Sequence, residues 1–335
     1  MDRREAIGVG LLGAMLASET ISGGALAETA LPDGTLPSDS KEVFNLWPGT
    51  PPGGAGISLT QKITEGSPSP ELYHSRSVSG IQTPGVFVYR AARPNGMGLL
   101  VIPGGGYSSE GMERGGTEIA HRFTAAGVTC FILRYRLPGE GWAGRADVPL
   151  QDAQRAMRLL RANAAKYDVD PARLAAIGFS AGGHVSASLA TRWDAKVYPS
   201  VDAADAVDAK PVVAGMMYPV ITMGPGAHAG SRDKLLGPDP TPQQIAAYSC
   251  DKHVRADGPP SFLCLALDDN VVPPVENGVA MLNALHAVKV PVEMHMFQQG
   301  GHGFSIRGAI GKPCAAWPDL FLAWAAAQGF TPRPT

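Results

Sequence analysis

Leu174-Ala175-Ala176-Ile177-Gly178-Phe179-Ser180-Ala181-Gly182-Gly183-His184 decides how the rest of the chain is read. Its first residues are a short apolar run of the kind that is buried as a strand, and residues 181–192 read as a helix. Between them stands the pattern G-x-S-x-G. A sharp strand-to-helix turn there would expose the Ser180 hydroxyl, and it needs small neighbours because a Cβ would collide with adjacent backbone. Gly and Ser are common, so the five residues alone describe only a tight turn. Their place after a strand and before a helix makes Ser180 the candidate nucleophile.

Outward from this junction, short apolar runs alternate with helical stretches. Strands are expected at 85–90, 98–102, 128–135, 174–178, 212–217, 262–267 and 292–297, and helices at 117–126, 150–167, 181–192, 276–287 and 317–328. This alternation predicts an α/β fold, a mostly parallel central sheet with helices on both faces and right-handed crossovers, in one domain over 73–335. Residues 28–72 are rich in Pro, Gly, Ser and Thr and predict an extended arm on the surface. Residues 219–260 lapse into Gly, Pro, His and charged residues after a strand that should end near the ligand crevice, which predicts a small lid over the site.

A serine hydroxyl needs a base, and in this topology the chain order is serine, acid, histidine. Gly300-Gly301-His302-Gly303-Phe304 follows the last expected strand, and of the eight histidines only His302 has that setting. His184 reads as packed structure. Leu267-Asp268-Asp269-Asn270-Val271-Val272-Pro273 follows the preceding strand, and two adjacent acids cannot both face one imidazole. The D-x-x-V-P spacing favours Asp269, leaving Asp268 as a turn or capping residue. Pro103-Gly104-Gly105-Gly106-Tyr107 follows the 98–102 strand and lacks the Lys-Ser or Lys-Thr of a phosphate cradle. The backbone N–H groups of Gly105 and Gly106, with that of Ala181, are the expected oxyanion hole. Tyr107 is a candidate to stack on a sugar face or bond a hydroxyl, although an aromatic there also packs against lids.

Composition narrows the classes. The 335 residues are 44% hydrophobic and 17% charged, enough for a large core, and 28 Lys and Arg stand against 30 Asp and Glu with no long basic run, which argues against nucleic acid as a partner. Four cysteines show no C-x-x-C spacing and no partner histidines, so no metal and no cofactor is expected. Cys130 and Cys264 lie in expected strands and read as inert thiols, whereas Cys250 and Cys314 lie in loop-like stretches and could pair in an oxidising compartment. Residues 1–27 combine Arg3-Arg4, an apolar stretch too short for a bilayer, and Ala25-Leu26-Ala27. That is the layout of a removable twin-arginine-like signal, predicting a periplasmic or secreted protein that begins near Glu28 and keeps no membrane anchor.

With these residues in place, the chain resembles the α/β-hydrolase esterases related to the hormone-sensitive lipase group, and above all the acetylxylan esterase and BD-FAE-like carbohydrate esterases. The likeness runs through Leu46-Trp47-Pro48-Gly49, the Pro103 to Tyr107 loop with Pro103 where histidine is usual, Tyr135-Arg136-Leu137-Pro138, and Leu150-Gln151-Asp152-Ala153-Gln154-Arg155-Ala156. It continues through Gly178 to His184, Asp268 to Pro273, Gly300 to Phe304 and Trp317-Pro318-Asp319-Leu320-Phe321. Asp152 and Arg155 read as a structural ion pair or cap. The resemblance implies a serine esterase that removes acetyl or other short acyl groups from carbohydrates such as acetylated xylan. A serine peptidase of the prolyl oligopeptidase type, a general short-chain carboxylesterase and a non-catalytic binding protein are the alternatives.

Overall fold

The computed structural model describes residues 27–333, so the expected signal segment, apart from Ala27, lies outside the described residues. Eleven strands appear in chain order: β1 (Val43–Asn45), β2 (Lys62–Glu65), β3 (Arg76–Ser79), β4 (Gly85–Tyr89), β5 (Gly98–Ile102), β6 (Glu110–Gly111), β7 (Thr129–Arg134), β8 (Leu174–Phe179), β9 (Ala214–Met217), β10 (Ser261–Ala266) and β11 (Val292–Phe297). Seven α-helices accompany them: α1 (Glu118–Thr124), α2 (Val148–Ala162), α3 (Ala181–Arg192), α4 (Ala229–Leu236), α5 (Pro242–Tyr248), α6 (Ala280–Ala287) and α7 (Trp317–Ala327). Eight strands form the main sheet in the order β1-β4-β7-β5-β8-β9-β10-β11. Within this sheet the pairs from β7 through β11 are parallel and β1 with β4 and β4 with β7 run antiparallel; β2, β3 and β6 form a separate antiparallel sheet.

The central strands explain why the sheet sits where it does. Every residue of β5, β8 and β10 is buried, which requires cover on both faces, and helices supply it. One apolar cluster joins Leu100, Ile102 and Leu133 to Met157, Leu160 and Leu189, and another joins Leu99, Val101 and Ile177 to Phe123, Trp317 and Phe321. The alternating side chains of β5 thus point into two separate cores. Cys250 and Cys314, read above as loop thiols, are buried in different clusters and unpaired, as are Cys130 and Cys264. Burial pushes the Cys250 thiol up to about 12.

The segment 28–72 is tied down more firmly than an arm needs to be. Val43-Phe44-Asn45 adds an edge strand to β4, and Leu46 and Trp47 behind it are buried. Trp47 donates its indole N–H to Asp152 at 2.8 Å, and Asp152 in turn accepts from the Arg136 side chain at 2.8 Å and the Arg136 backbone N–H at 2.9 Å. Arg155 pairs not with Asp152 but with Asp202 and Asp205, while its Nε donates to the Leu46 carbonyl. The 136/152 pair is wholly out of water, and its remaining donors reach the Pro52 carbonyl and Gln151. Replacing Asp152 with Ala leaves an uncompensated buried guanidinium and should cost about 3–5 kcal/mol. Denaturant unfolding of the variant is expected to show that loss, and a loss below about 1 kcal/mol would mean that this pair does not hold the arm to α2.

Candidate active site

The turn at Ser180 is forced by backbone crowding. A Cβ on Gly178 would drive into the Gly182 carbonyl oxygen, and one on Gly182 into the carbonyl oxygens of Ile102 and Pro103. Between them Ser180 takes φ 55° and ψ −117°, a conformation rare outside glycine that only a well-packed surround sustains. Its N–H donates to Met217 at the end of β9, and its carbonyl accepts from Val220 and His184. The side chain is thereby aimed into a cavity of about 440 Å³ whose wall includes Gly104, Gly105, Gly106, Tyr218, His228 and His302.

His302 and Asp269 meet Ser180 in that cavity. The Ser180 hydroxyl lies 2.8 Å from His302 Nε2, and Asp269 Oδ2 lies 2.7 Å from Nδ1. Asp269 is almost fully buried and uses its other oxygen to accept from the Val271 and Val272 N–H groups at 2.8 and 2.9 Å. Burial pushes its carboxyl upward, but the His302 contact and these backbone donors outweigh burial and hold it below the ordinary carboxylate range. Asp269 therefore stays ionised and accepts the hydrogen bond from Nδ1–H, which leaves the Nε2 lone pair facing the Ser180 hydroxyl. Asp268 turns the other way: its Oδ1 accepts from the N–H groups of Gly300 and Gly301 at 2.9 and 2.7 Å, fastening the loop that carries His302.

Gly105 and Gly106 lie on the same cavity wall, and among the described residues no acceptor engages their N–H groups. The Ala181 N–H is in the first turn of α3, where helical N–H groups have no partner within the helix. These donors are available for an oxygen bearing negative charge.

Tyr107 corrects the sequence expectation. It is 1% exposed, is absent from the cavity wall, and places its hydroxyl 2.7 Å from His184 Nδ1, while His184 Nε2 meets the Tyr248 carbonyl at 2.8 Å. With φ 61° at Tyr107, the chain swings its ring inward against Tyr135 and His184. Its ring and hydroxyl are thus packed within the protein and not on the cavity wall. Among the cavity-facing residues that the sequence passed over are Tyr218, His228 and Arg114. Tyr218 packs edge-on against the His302 ring at 5.2 Å between centroids. His228, in the 219–260 segment, caps α4 by accepting the Ser231 N–H on Nδ1 at 3.2 Å; that bond fixes the proton on Nε2. Arg114 stands exposed at the mouth. Only the H-x-x-S cap at His228 carried a sequence signal, and it speaks of a helix start rather than a site.

Full burial drives His184 down to about 4, the Tyr248 carbonyl opposing only in part. A histidine whose folded value is depressed binds its proton first in the unfolded chain, so stability falls as pH drops from about 6.5 to about 4. His184→Gln should flatten this limb by up to about 1.4 kcal/mol per pH unit. Unfolding curves of both proteins across that window check it, and parallel pH dependences would show that His184 does not titrate as a buried neutral group.

The BD-FAE profile matches residues 89–285, which include Ser180 and Asp269 and stop short of His302. The chain is 38% identical over 208 residues, 62% of its own length, to endo-1,4-beta-xylanase B of Butyrivibrio fibrisolvens, and 29% identical over 215 residues, 63% of its length, to an acetylxylan esterase of Xylanibacter ruminicola. It spans only 32% and 42% of those two relatives. Its fold superimposes with a TM-score of 0.71 on the acetyl ester-xyloside bifunctional hydrolase of Caldicellulosiruptor lactoaceticus, at 28% identity, covering 87% of this chain and 98% of that one. The doubly covered parallel sheet is that of an α/β hydrolase, and the chain belongs to the BD-FAE family.

Proposed function

We propose that the protein is a serine carboxylic-ester hydrolase that removes acetyl or other short acyl groups from carbohydrates. The observation that carries this reading is the unbroken hydrogen-bonded series Asp269, His302, Ser180 in one cavity with the unengaged N–H groups of the glycine loop. His302 Nε2 takes the Ser180 proton as Oγ attacks the acyl carbon, and Asp269 stabilises the imidazolium that forms. The oxyanion turns to the N–H groups of Gly105, Gly106 and Ala181. As the intermediate collapses, Nε2 returns the proton to the leaving alcohol oxygen. Water then repeats the sequence on the acyl-enzyme and releases the acid.

The small acyl group follows from the wall. Ser75, Ser77, Ser108 and Ser109 face the cavity, whereas Val220, Ile221, Met223, Leu235 and Leu236 of the 219–260 segment are spent in the core. A fatty chain would therefore gain little of the ~0.8 kcal/mol available for each buried CH₂. Carbohydrate as the alcohol draws support from the likeness to an endo-1,4-beta-xylanase and an acetylxylan esterase. No feature of the site favours peptide cleavage. Export is also part of this proposal, resting on residues 1–27; N-terminal sequencing of secreted protein should begin near Glu28.

Ser180→Ala should lower kcat by about 10⁴-fold or more with the thermal transition nearly unchanged, because a hydroxyl is lost and no core volume with it. An active variant would remove the mechanism. Asp269→Asn should cost orders of magnitude, since an amide cannot hold the imidazole tautomer, while Asp268→Asn keeps an acceptor for Gly300 and Gly301 and should cost far less. The reverse ranking would transfer the acid to Asp268. On nitrophenyl esters, kcat/KM should fall from acetyl to decanoyl; a steady rise, or no acetate from acetylated xylan, would replace the carbohydrate reading with a general esterase.

A further inference from the structure

The cavity around Ser180 is lined by two arginines and two histidines, and no Asp or Glu is among the described residues of its wall. The two arginines differ in a way that decides what the cavity can bind. Arg76 is spent on the protein: its side chain is buried and bonds Asp39 through both terminal nitrogens, Glu113 through Nε at 2.7 Å, and the Gly34 carbonyl. Arg114 is exposed, and among the described residues its guanidinium has neither an acidic partner within salt-bridge range nor a hydrogen-bond acceptor. A cleft with one uncompensated charge of a single sign raises the local concentration of the opposite charge.

The position of Arg114 says which part of a substrate it meets. A Cβ placed on Gly303, the residue after the base, would lie 3.7 Å from Arg114 Nη1. The guanidinium is therefore on the His302 side of the cavity. That is the side of the leaving alcohol, because the alcohol oxygen must receive the proton from Nε2 as its bond to the acyl carbon breaks. The acyl oxygen faces the other way, to Gly105 and Gly106. The planar fork of a guanidinium matches a carboxylate with two parallel N–H···O bonds, a match that a neutral hydroxyl does not offer.

We infer that the preferred substrate carries a carboxylate on its alcohol portion, an acylated uronic acid or a sugar chain bearing one, held by Arg114. This rests on the deacetylase reading above and narrows its substrate class. The test compares kcat/KM of the mature protein and its Arg114→Gln and Arg114→Lys variants on three mono-acetylated methyl glycosides: a glucuronoside with free carboxylate, the methyl ester of that carboxylate, and a glucoside. The wild type should favour the free acid over the other two by about tenfold at low salt, with the margin shrinking as ionic strength rises. Arg114→Gln should erase the margin, its loss falling about tenfold harder on the free acid than on the ester or the glucoside, and Arg114→Lys should restore only part of it. Equal rates on acid, ester and glucoside in the wild type, or an Arg114→Gln loss shared by all three, overturns the inference alone. Absence of acetate release from all three overturns it together with the deacetylase reading. A hemisuccinate of methyl glucoside serves as a further arm: a preference for it over the acetate that depends on Arg114 would place the charge on the acyl side and overturn the assignment to the alcohol.

Discussion

Everything at the site depends on how closely two parallel strands leave the sheet together. The β5–β8 register pairs Ile102 with Gly178, so the glycine loop and the Ser180 turn depart from the same level. Helix α3 can then begin only if Gly182 tolerates the carbonyl oxygens of Ile102 and Pro103 pressed against its α-carbon. That contact sets the Ser180 turn against the Gly104 to Gly106 loop without help from any side chain. Geometry held by main chain costs no reorganisation when charge develops, which is what electrostatic stabilisation of a transition state requires.

Asp269 and His302 arrive by the same rule from the other flank. β8, β9, β10 and β11 are consecutive neighbours, and the last pair runs in register from Ser261 against Val292 to Ala266 against Phe297. The loops after β10 and β11 therefore rise side by side, and Asp268 and Asp269 divide the work of joining them. Asp268 fastens main chain to main chain, and Asp269 fastens the imidazole. Two adjacent carboxylates with opposite directions serve one loop because successive side chains leave an extended or turning backbone on different sides.

Much of this was legible in the sequence, for a physical reason. Strands buried on both faces must be written as continuous apolar runs, so β5, β8 and β10 were readable within a residue or two, and the elbow is readable because crowded backbone admits only small residues. Asp269 was separable from Asp268 by its spacing to Val272 and Pro273. What stayed hidden depends on partners distant in sequence. β1 is three residues amid Pro and Gly and becomes a strand only because β4 is beside it. Tyr107 looked like a binding aromatic because nothing local says that a positive φ turns it toward His184. The pairing of Arg155 with Asp202 and Asp205 spans some fifty residues, out of reach of a pattern read along one helix.

Ser180 and His302 are 122 residues apart, and the elbow precedes its base in the chain. At a synthesis rate of about 5–20 residues per second, a growing chain would hold the serine turn for roughly ten seconds before the imidazole is made. On the proposed mechanism a serine without its base is chemically quiet, so the order of the chain would act as a delay: reactivity would come only after β11 has been translated and docked at the sheet's far edge. On that mechanism a nascent chain released early would be a folding failure, but an inert one.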